Sequence, residues 1–226
     1  MTLRCFACEQ DATSREHAPP LCIFPAASDT EDGTSYRTNL ITVPACDDHN
    51  LKKSKDDEYL MMILVAHYEN NPLANTQMKS KVVRAWQRRP HLATMAVQNP
   101  VPARLNGEAT MVFQIDSARF NRAMELIARA VIFHETGCRW LGSAVIWSPS
   151  MLPSDPATAQ DVMKTSQSLI EALPHIFAGK PMLGSNPEVF QYRILVPEPP
   201  ATIGCVQFLF YGGLQVCALL NAGTEA

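Results

Sequence analysis

Apolar residues recur every three or four positions in four segments of the chain, which is the spacing of one face of an α-helix. These segments cover residues 54–68, 75–88, 116–135 and 157–173. The first has acidic residues in its opening turn, where the positive end of the helix dipole stabilises them. The third has the clearest apolar face, formed by Phe120, Met124, Ile127, Ala128 and Val131.

Shorter apolar runs predict strands, mainly in the second half of the chain. These strands cover residues 110–115, 139–147, 189–196, 206–211 and 214–220. The last two are separated by Gly212-Gly213, which predicts a hairpin. Two prolines within residues 98–102 predict a linker at that point.

The order of these elements predicts an α+β fold in two parts. Residues 1–98 are predicted to form a cysteine-rich module extended by one or two helices. Residues 99–226 are predicted to form an α+β domain that recognises a substrate or a partner, with helices on one face of an antiparallel sheet. This second part could form a homo-oligomer or bind a protein partner, in which case its sheet would present a large apolar face.

Composition narrows the class of protein. The 226 residues are 46% hydrophobic, which is enough to fill a core. A net charge of −3 and an isoelectric point near 6.1 argue against a protein that coats DNA without specificity. The first residues contain no apolar secretion segment, and the longest apolar runs are too short to cross a bilayer. We therefore expect a cytoplasmic location and no membrane partner.

Two pairs of residues near the N-terminus have the types and spacing of a tetrahedral zinc site, namely Cys5-x-x-Cys8 and Cys46-x-x-His49. The polar segment that contains them has too few large apolar residues to close a core, and a bound metal would stabilise it. In a reducing compartment the seven cysteines are better interpreted as ligands and core residues than as disulfides. Cys22 lies among apolar residues and is predicted to be a buried thiol.

Polar residues between and after these pairs have the types needed to cleave a phosphodiester. His17 can act as a base near neutral pH, and Glu16 offers the hard oxygen that Mg²⁺ or Mn²⁺ prefers. Asn50 is a second oxygen donor, and Asn39 can orient the segment that carries His17 through hydrogen bonds to the backbone. Phosphate contacts are predicted for the lysines that follow, which are Lys52, Lys53 and Lys55.

In this order the residues resemble the HNH endonuclease family, in its zinc-framed treble-clef (ββα-metal) form. The resemblance spans roughly residues 3–58 and rests on Cys5-x-x-Cys8, Glu16-His17, Asn39-Leu40, Cys46-x-x-His49-Asn50 and Lys53. It implies that the cysteines and His49 hold a structural zinc and that His17 activates water. It also implies that Asn39 positions its loop, while Glu16 and Asn50 bind a catalytic Mg²⁺ or Mn²⁺. His49 and Asn50 depart from the family pattern, which usually has Cys and His at these two positions.

The resemblance implies a metal-dependent endonuclease that hydrolyses phosphodiester bonds of DNA, or of RNA, in host defence or a mobile element. The alternative is a zinc-stabilised module that binds nucleic acid or protein without cleaving it. In a different register, His49 would face the catalytic ion and the zinc would lack one protein ligand.

Basic residues outside these motifs have two interpretations. Arg119, Arg122 and Arg129 are expected to be exposed on the third predicted helix, where they could also contact nucleic acid. The basic residues around Trp86 either follow a DNA backbone or form a solvated helix face, with Trp86 in the core.

Overall fold

The computed structural model describes residues 3–105, 107–153, 155–196 and 203–221, which form a mixed α+β protein. After a turn around the first cysteine pair, two short strands, β1 (Ser14–His17) and β2 (Thr42–Ala45), pair in an antiparallel manner. Two 3₁₀ turns, Asp47–His49 and Leu51–Lys53, then lead directly into the first long helix. The predicted metal ligands and catalytic residues therefore lie on short elements around a two-stranded sheet.

Helices make up most of the segment that follows. α1 (Ser54–Val65) confirms the first predicted helix but ends before residue 68. The second predicted helix is divided into α2 (Pro72–Gln77) and α3 (Val83–Arg88), joined by a π-helical turn at Met78–Val82. α4 (His91–Ala96) is short and was not predicted. None of the helices in the described ranges is long and apolar enough to cross a membrane.

The prediction of a linker at residues 98–102 is wrong, because these residues belong to a strand. β3 (Gln98–Leu105) pairs with β4 (Glu108–Gln114) in an antiparallel two-stranded ribbon. The pairing is irregular between Gln98 and Val101, where the first proline lies. Among the described residues β3 pairs on one side only, so a proline that lacks an N–H group can be accommodated at its open edge.

The C-terminal part of the chain combines two long helices with a five-stranded sheet. Its elements are α5 (Ser117–Thr136), β5 (Ser143–Trp147), α6 (Pro156–Ile176), β6 (Leu183–Asn186), β7 (Phe190–Leu195), β8 (Ile203–Phe210) and β9 (Leu214–Asn221). The strand order is β5-β9-β8-β7-β6, and every neighbouring pair is antiparallel. The predicted antiparallel sheet is confirmed, and β6 is an additional strand.

Helices lie on both faces of this sheet, and not on one face as predicted. Side chains alternate between the two faces along a strand, and in β8 Val206 and Phe208 enter the large core shared with α5. Cys205 lies on the opposite face and packs with Leu173 and Phe177 at the C-terminal end of α6. Because β8 has apolar residues on both faces, other elements pack against each face of the sheet.

The largest apolar core takes side chains from both halves of the chain. Leu60 of α1, Met124 of α5 and Phe208 of β8 are all part of it. The hydroxyl of the buried Tyr211 donates a hydrogen bond to the carbonyl oxygen of Ile23, which ties the β8–β9 turn to the N-terminal segment. The division at residues 98 and 99 stays a prediction, and residues from both sides of it meet in this core.

Candidate metal centre and adjoining cleft

A tight turn carries the first two candidate ligands. The N–H of Cys5 donates to the carbonyl oxygen of Gln10 at 2.9 Å, which closes the turn. The N–H of Ala7 points to the sulfur of Cys5, with an N···S distance of 3.5 Å. The backbone of the turn therefore supports one sulfur directly and holds Cys8 close to it.

The four predicted zinc ligands come together, since the ligand atoms of Cys5, Cys8, Cys46 and His49 all lie within 4.8 Å of one another. The sulfurs of Cys8 and Cys46 are 3.7 Å apart, and Nδ1 of His49 is 3.6 Å from the sulfur of Cys5. Zinc bonds of about 2.3 Å to sulfur and about 2.1 Å to nitrogen place tetrahedral S–S pairs about 3.8 Å apart and S–N pairs about 3.6 Å apart. The distance from Cys46 Sγ to His49 Nδ1 is shorter, at 3.2 Å. The cluster has the donor set and the approximate size of a tetrahedral zinc site, with His49 as a member.

Two arginines from the second half of the chain hold this turn from outside. Nη1 of Arg139 donates to the carbonyl oxygen of Cys8 at 3.0 Å, and Nη1 of Arg129 reaches that of Ala7 at 3.5 Å. Arg129 was predicted to be exposed and is instead half-buried, because it makes these contacts.

Burial lowers the pKa of His49, and a neutral imidazole is the form that binds zinc.

A cleft of about 230 Å³ adjoins the cluster of Cys5, Cys8, Cys46 and His49. Glu16 and His17 line it from β1, Lys53 lines it from the start of α1, and His49 belongs both to the cleft and to the cluster. The structure therefore brings two predicted catalytic residues into one cavity beside the predicted zinc site. Its wall on the side of α5 consists of Arg122, Ala123, Leu126, Ile127 and Ala130.

Lys53 lies between two carboxylates in this cleft. Its Nζ is 2.7 Å from Oε1 of Glu16 and 2.6 Å from Oδ1 of Asp57. The side chains of Lys53, Glu16 and Asp57 are 12%, 10% and 21% exposed, so water screens these ion pairs poorly. The ammonium group takes a position that a cation shared by the two carboxylates would occupy. The sequence predicted that Lys53 binds phosphate, whereas here it neutralises acids.

The charges of this group do not balance. Two carboxylates face one ammonium, which leaves one negative charge in excess when all three are ionised. Burial raises the pKa of both Glu16 and Asp57, although the charge of Lys53 opposes the rise. Burial lowers the pKa of Lys53, but the two acids outweigh it and the net shift is upward. The excess negative charge favours the uptake of a proton or of an added cation.

His17 is the candidate base of the cleft. It is the last residue of β1 and lies opposite Thr42 of β2. Burial lowers its pKa, and the nearby positive charge of Lys53 lowers it further. The ring is therefore neutral at pH 7, which is the state that can accept a proton.

The two asparagines of the predicted site do not line the cleft. Nδ2 of Asn50 donates to Oγ of Ser14 at 2.9 Å and to the carbonyl oxygen of Arg15 at 3.1 Å. These bonds fix the strand that carries Glu16, and they direct the amide of Asn50 to β1. Asn39 is exposed in the bend before β2, with a φ of 51° in the left-handed region that Asn tolerates.

The remaining two predicted phosphate contacts differ in their positions. Lys52 lines the cleft, but its ammonium group pairs with Asp48 one helical turn earlier. Lys55 is exposed and does not line the cleft, and its carbonyl oxygen accepts a hydrogen bond from Arg119 at 2.6 Å. Of these two lysines, Lys52 lines the cleft, and Asp48 neutralises its charge.

Asp57 and Arg122 are among the cleft residues that were not predicted to belong to the site. Asp57 follows Lys53 by four positions, which is the helical spacing at which opposite charges pair, so the sequence did contain a signal for it. Arg122 comes from α5, and no local pattern connects it to the N-terminal motifs. Its position depends on how α5 packs against the start of α1.

A comparison of the chain with protein-family models, with curated proteins and with solved structures finds no match. The function is therefore inferred from the chemistry of the cluster and the cleft.

Proposed function

We propose that the chain is a nuclease of the HNH type, in which a treble-clef module with a structural zinc supports a cleft that hydrolyses nucleic-acid phosphodiester bonds. The observation that carries this proposal is the placement of Glu16 and His17 in one cleft that shares His49 with the cysteine cluster. A zinc bound by the cluster would fix the position of β1 and of the first turn of α1 relative to each other. The zinc is then structural, and the cleft beside it is the site of reaction.

His17 is the proposed general base. Its ring is neutral at pH 7 because burial and the charge of Lys53 lower its pKa, so it can take a proton from an attacking water. Asn50 supports the reaction indirectly, since its hydrogen bonds hold the strand that carries the base.

Glu16 and Asp57 are the residues that would hold a catalytic Mg²⁺ or Mn²⁺. Their carboxylates are hard oxygen donors, and together they carry one more negative charge than Lys53 neutralises. A bound divalent ion would supply charge stabilisation for the leaving oxygen. Asp57 takes the role predicted for Asn50, because the amide of Asn50 is engaged with β1.

A plasmid-nicking assay tests this proposal. Purified, zinc-loaded chain is incubated with supercoiled DNA in Mg²⁺, in Mn²⁺ or with no added divalent ion. We expect His17→Ala to lower the nicking rate by about 10²-fold or more, as the loss of a general base does. His91→Ala removes an exposed histidine outside the cleft and serves as the matched control. Equal nicking by wild type and His17→Ala would exclude His17 as the base.

A second candidate function is a zinc-stabilised module that binds nucleic acid without cleaving it. It is favoured by the ammonium group of Lys53, which already occupies the space between Glu16 and Asp57. Under this hypothesis the wild-type chain shifts a labelled DNA duplex in a binding assay, and no cleavage product forms with Mg²⁺ or Mn²⁺. RNA and single-stranded DNA substrates in the same two assays identify the preferred nucleic acid.

A further inference from the structure

Three cationic side chains line the cleft, and two of them are neutralised by acids. Lys52 pairs with Asp48, and Lys53 lies between two carboxylates. Within the described part of the chain, Arg122 has no acidic partner, although it lines the same cleft. The charge of Arg122 is therefore available to an anion that enters the cleft.

Arg122 is exposed on α5, where it lines the cleft. The other α5 residues that line the cleft, namely Ala123, Leu126, Ile127 and Ala130, are all apolar. Arg122 is thus the polar group that α5 presents to the cleft, and its exposed guanidinium is accessible to an anion.

The position of Arg122 is fixed by contacts one helical turn earlier. Arg119 forms an ion pair with Asp56 at 2.5 Å and lies over the ring of Tyr59, 4.4 Å from its centroid. The N–H of Asp116, which caps α5, donates to the hydroxyl of Tyr59 at 2.8 Å. These contacts join the first two turns of α5 to α1, so the helix does not have to move to bring Arg122 to the cleft.

We propose that Arg122 binds a phosphate group of the nucleic-acid backbone at the mouth of this cleft and positions it beside His17. A guanidinium group presents two parallel N–H donors that match two phosphate oxygens, which a lysine ammonium cannot do. The phosphate-binding residue of the cleft then comes from α5, and not from the lysines that follow the cysteine cluster. This inference rests on the proposed nuclease function and also holds if the module binds nucleic acid without cleaving it.

Fluorescence anisotropy with a short fluorescein-labelled DNA duplex tests this role. The measurements are made on full-length chain with zinc bound, in a His17→Ala background that prevents cleavage during titration. We expect Arg122→Ala to weaken binding by about tenfold, which corresponds to the loss of one charge-assisted contact. We also expect it to reduce the slope of log K against log salt by about one. Arg122→Lys should recover part of the affinity, because it keeps the charge and loses the bidentate geometry.

Arg104→Ala is the matched control, since it removes an exposed arginine of β3 that does not line the cleft. Equal affinity for Arg122→Ala and Arg104→Ala would overturn the assignment of Arg122. If wild type nicks DNA and Arg122→Ala nicks it with unchanged KM, this inference fails while the proposed function stands. If wild type neither nicks nor binds nucleic acid, both fail. Circular dichroism and zinc content confirm that each variant is folded.

Discussion

Replacing Lys53 by Met tests the charge arrangement of the cleft most directly. The substitution keeps most of the side-chain volume and removes the ammonium group that lies within 2.7 Å of two carboxylate oxygens. Glu16 and Asp57 are then left facing each other in a shielded site. Removing one partner of a buried ion pair costs about 3–5 kcal/mol. We expect a loss near the lower end, about 3 kcal/mol, because Asp57 keeps some contact with water.

The size of this loss depends on pH, because the protonation of Glu16 and Asp57 changes with pH. Burial already raises the pKa of Glu16 and Asp57 in the wild type, so the folded state binds more protons than the unfolded state. Each acid therefore contributes stability that is present below its unfolded pKa and is lost as pH rises through its folded pKa. Without Lys53 both folded pKa values rise further, since its charge opposed the rise. The loss caused by Lys53→Met is accordingly smaller at pH 5 than at pH 8.

Urea denaturation at pH 5 and pH 8, followed by circular dichroism with zinc present, measures these differences. Lys52→Met is the matched control, and we expect no measurable change because that side chain is exposed. The double variant Lys53→Met/Asp57→Asn should regain part of the lost stability, since one unpaired carboxylate is removed. The reasoning is refuted if Lys53→Met is as stable as Lys52→Met, or if its loss of stability is the same at both pH values.

Three further predictions concern the metal cluster, β1 and the β8–β9 turn. Cys46→Ala should abolish zinc binding, measured by atomic absorption after dialysis, and lower the melting temperature, whereas Cys138→Ala, outside the cluster, should change neither. Asn50→Ala should lower the free energy of unfolding by about 1 kcal/mol, because β1 loses two hydrogen bonds, and a wild-type urea midpoint would contradict this. Gly213→Ala should cost about 1–3 kcal/mol, since a Cβ there would lie 2.6 Å from backbone atoms of the loop after α1. In Gly212→Ala the Cβ would lie 3.9 Å from Nδ2 of Asn71, an ordinary contact, but the φ is +68°, so its loss should be the smaller of the two in the same urea assay.

The sequence predicted those elements whose apolar residues follow a regular spacing within one short segment of the chain. In α5 the predicted inward residues, such as Phe120, Met124 and Val131, are all buried, because helical spacing alone decides which face of a long helix is apolar. The residues of the Cys/His cluster could also be predicted, since the members of each pair are close in sequence and only the distance between the two pairs was unknown. Both cases depend on residues that are close in sequence.

The β8–β9 turn shows where local chemistry was insufficient. Gly212-Gly213 predicted the turn, but the two residues with positive φ are Tyr211 and Gly212. A tyrosine rarely adopts this conformation, and here its ring is fully buried while its hydroxyl bonds to the carbonyl oxygen of Ile23. A contact between residues far apart in sequence outweighs the backbone preference. The prolines of β3 misled the prediction for a similar reason, because the open edge of that strand is a property of the sheet.

The site itself was predictable on the side of β1 and unpredictable on the side of α5. Ala130 packs in the apolar cluster around Cys5 and Cys46, while Met124 lies in the core beneath the C-terminal sheet. One helix therefore contacts the metal cluster, forms a wall of the cleft and joins the sheet. A module that ended at residue 98 would keep Glu16, His17 and the Cys/His cluster, yet it would lack that wall and Arg122. The second half of the chain thus completes the cleft, in addition to any role it has in recognising a substrate.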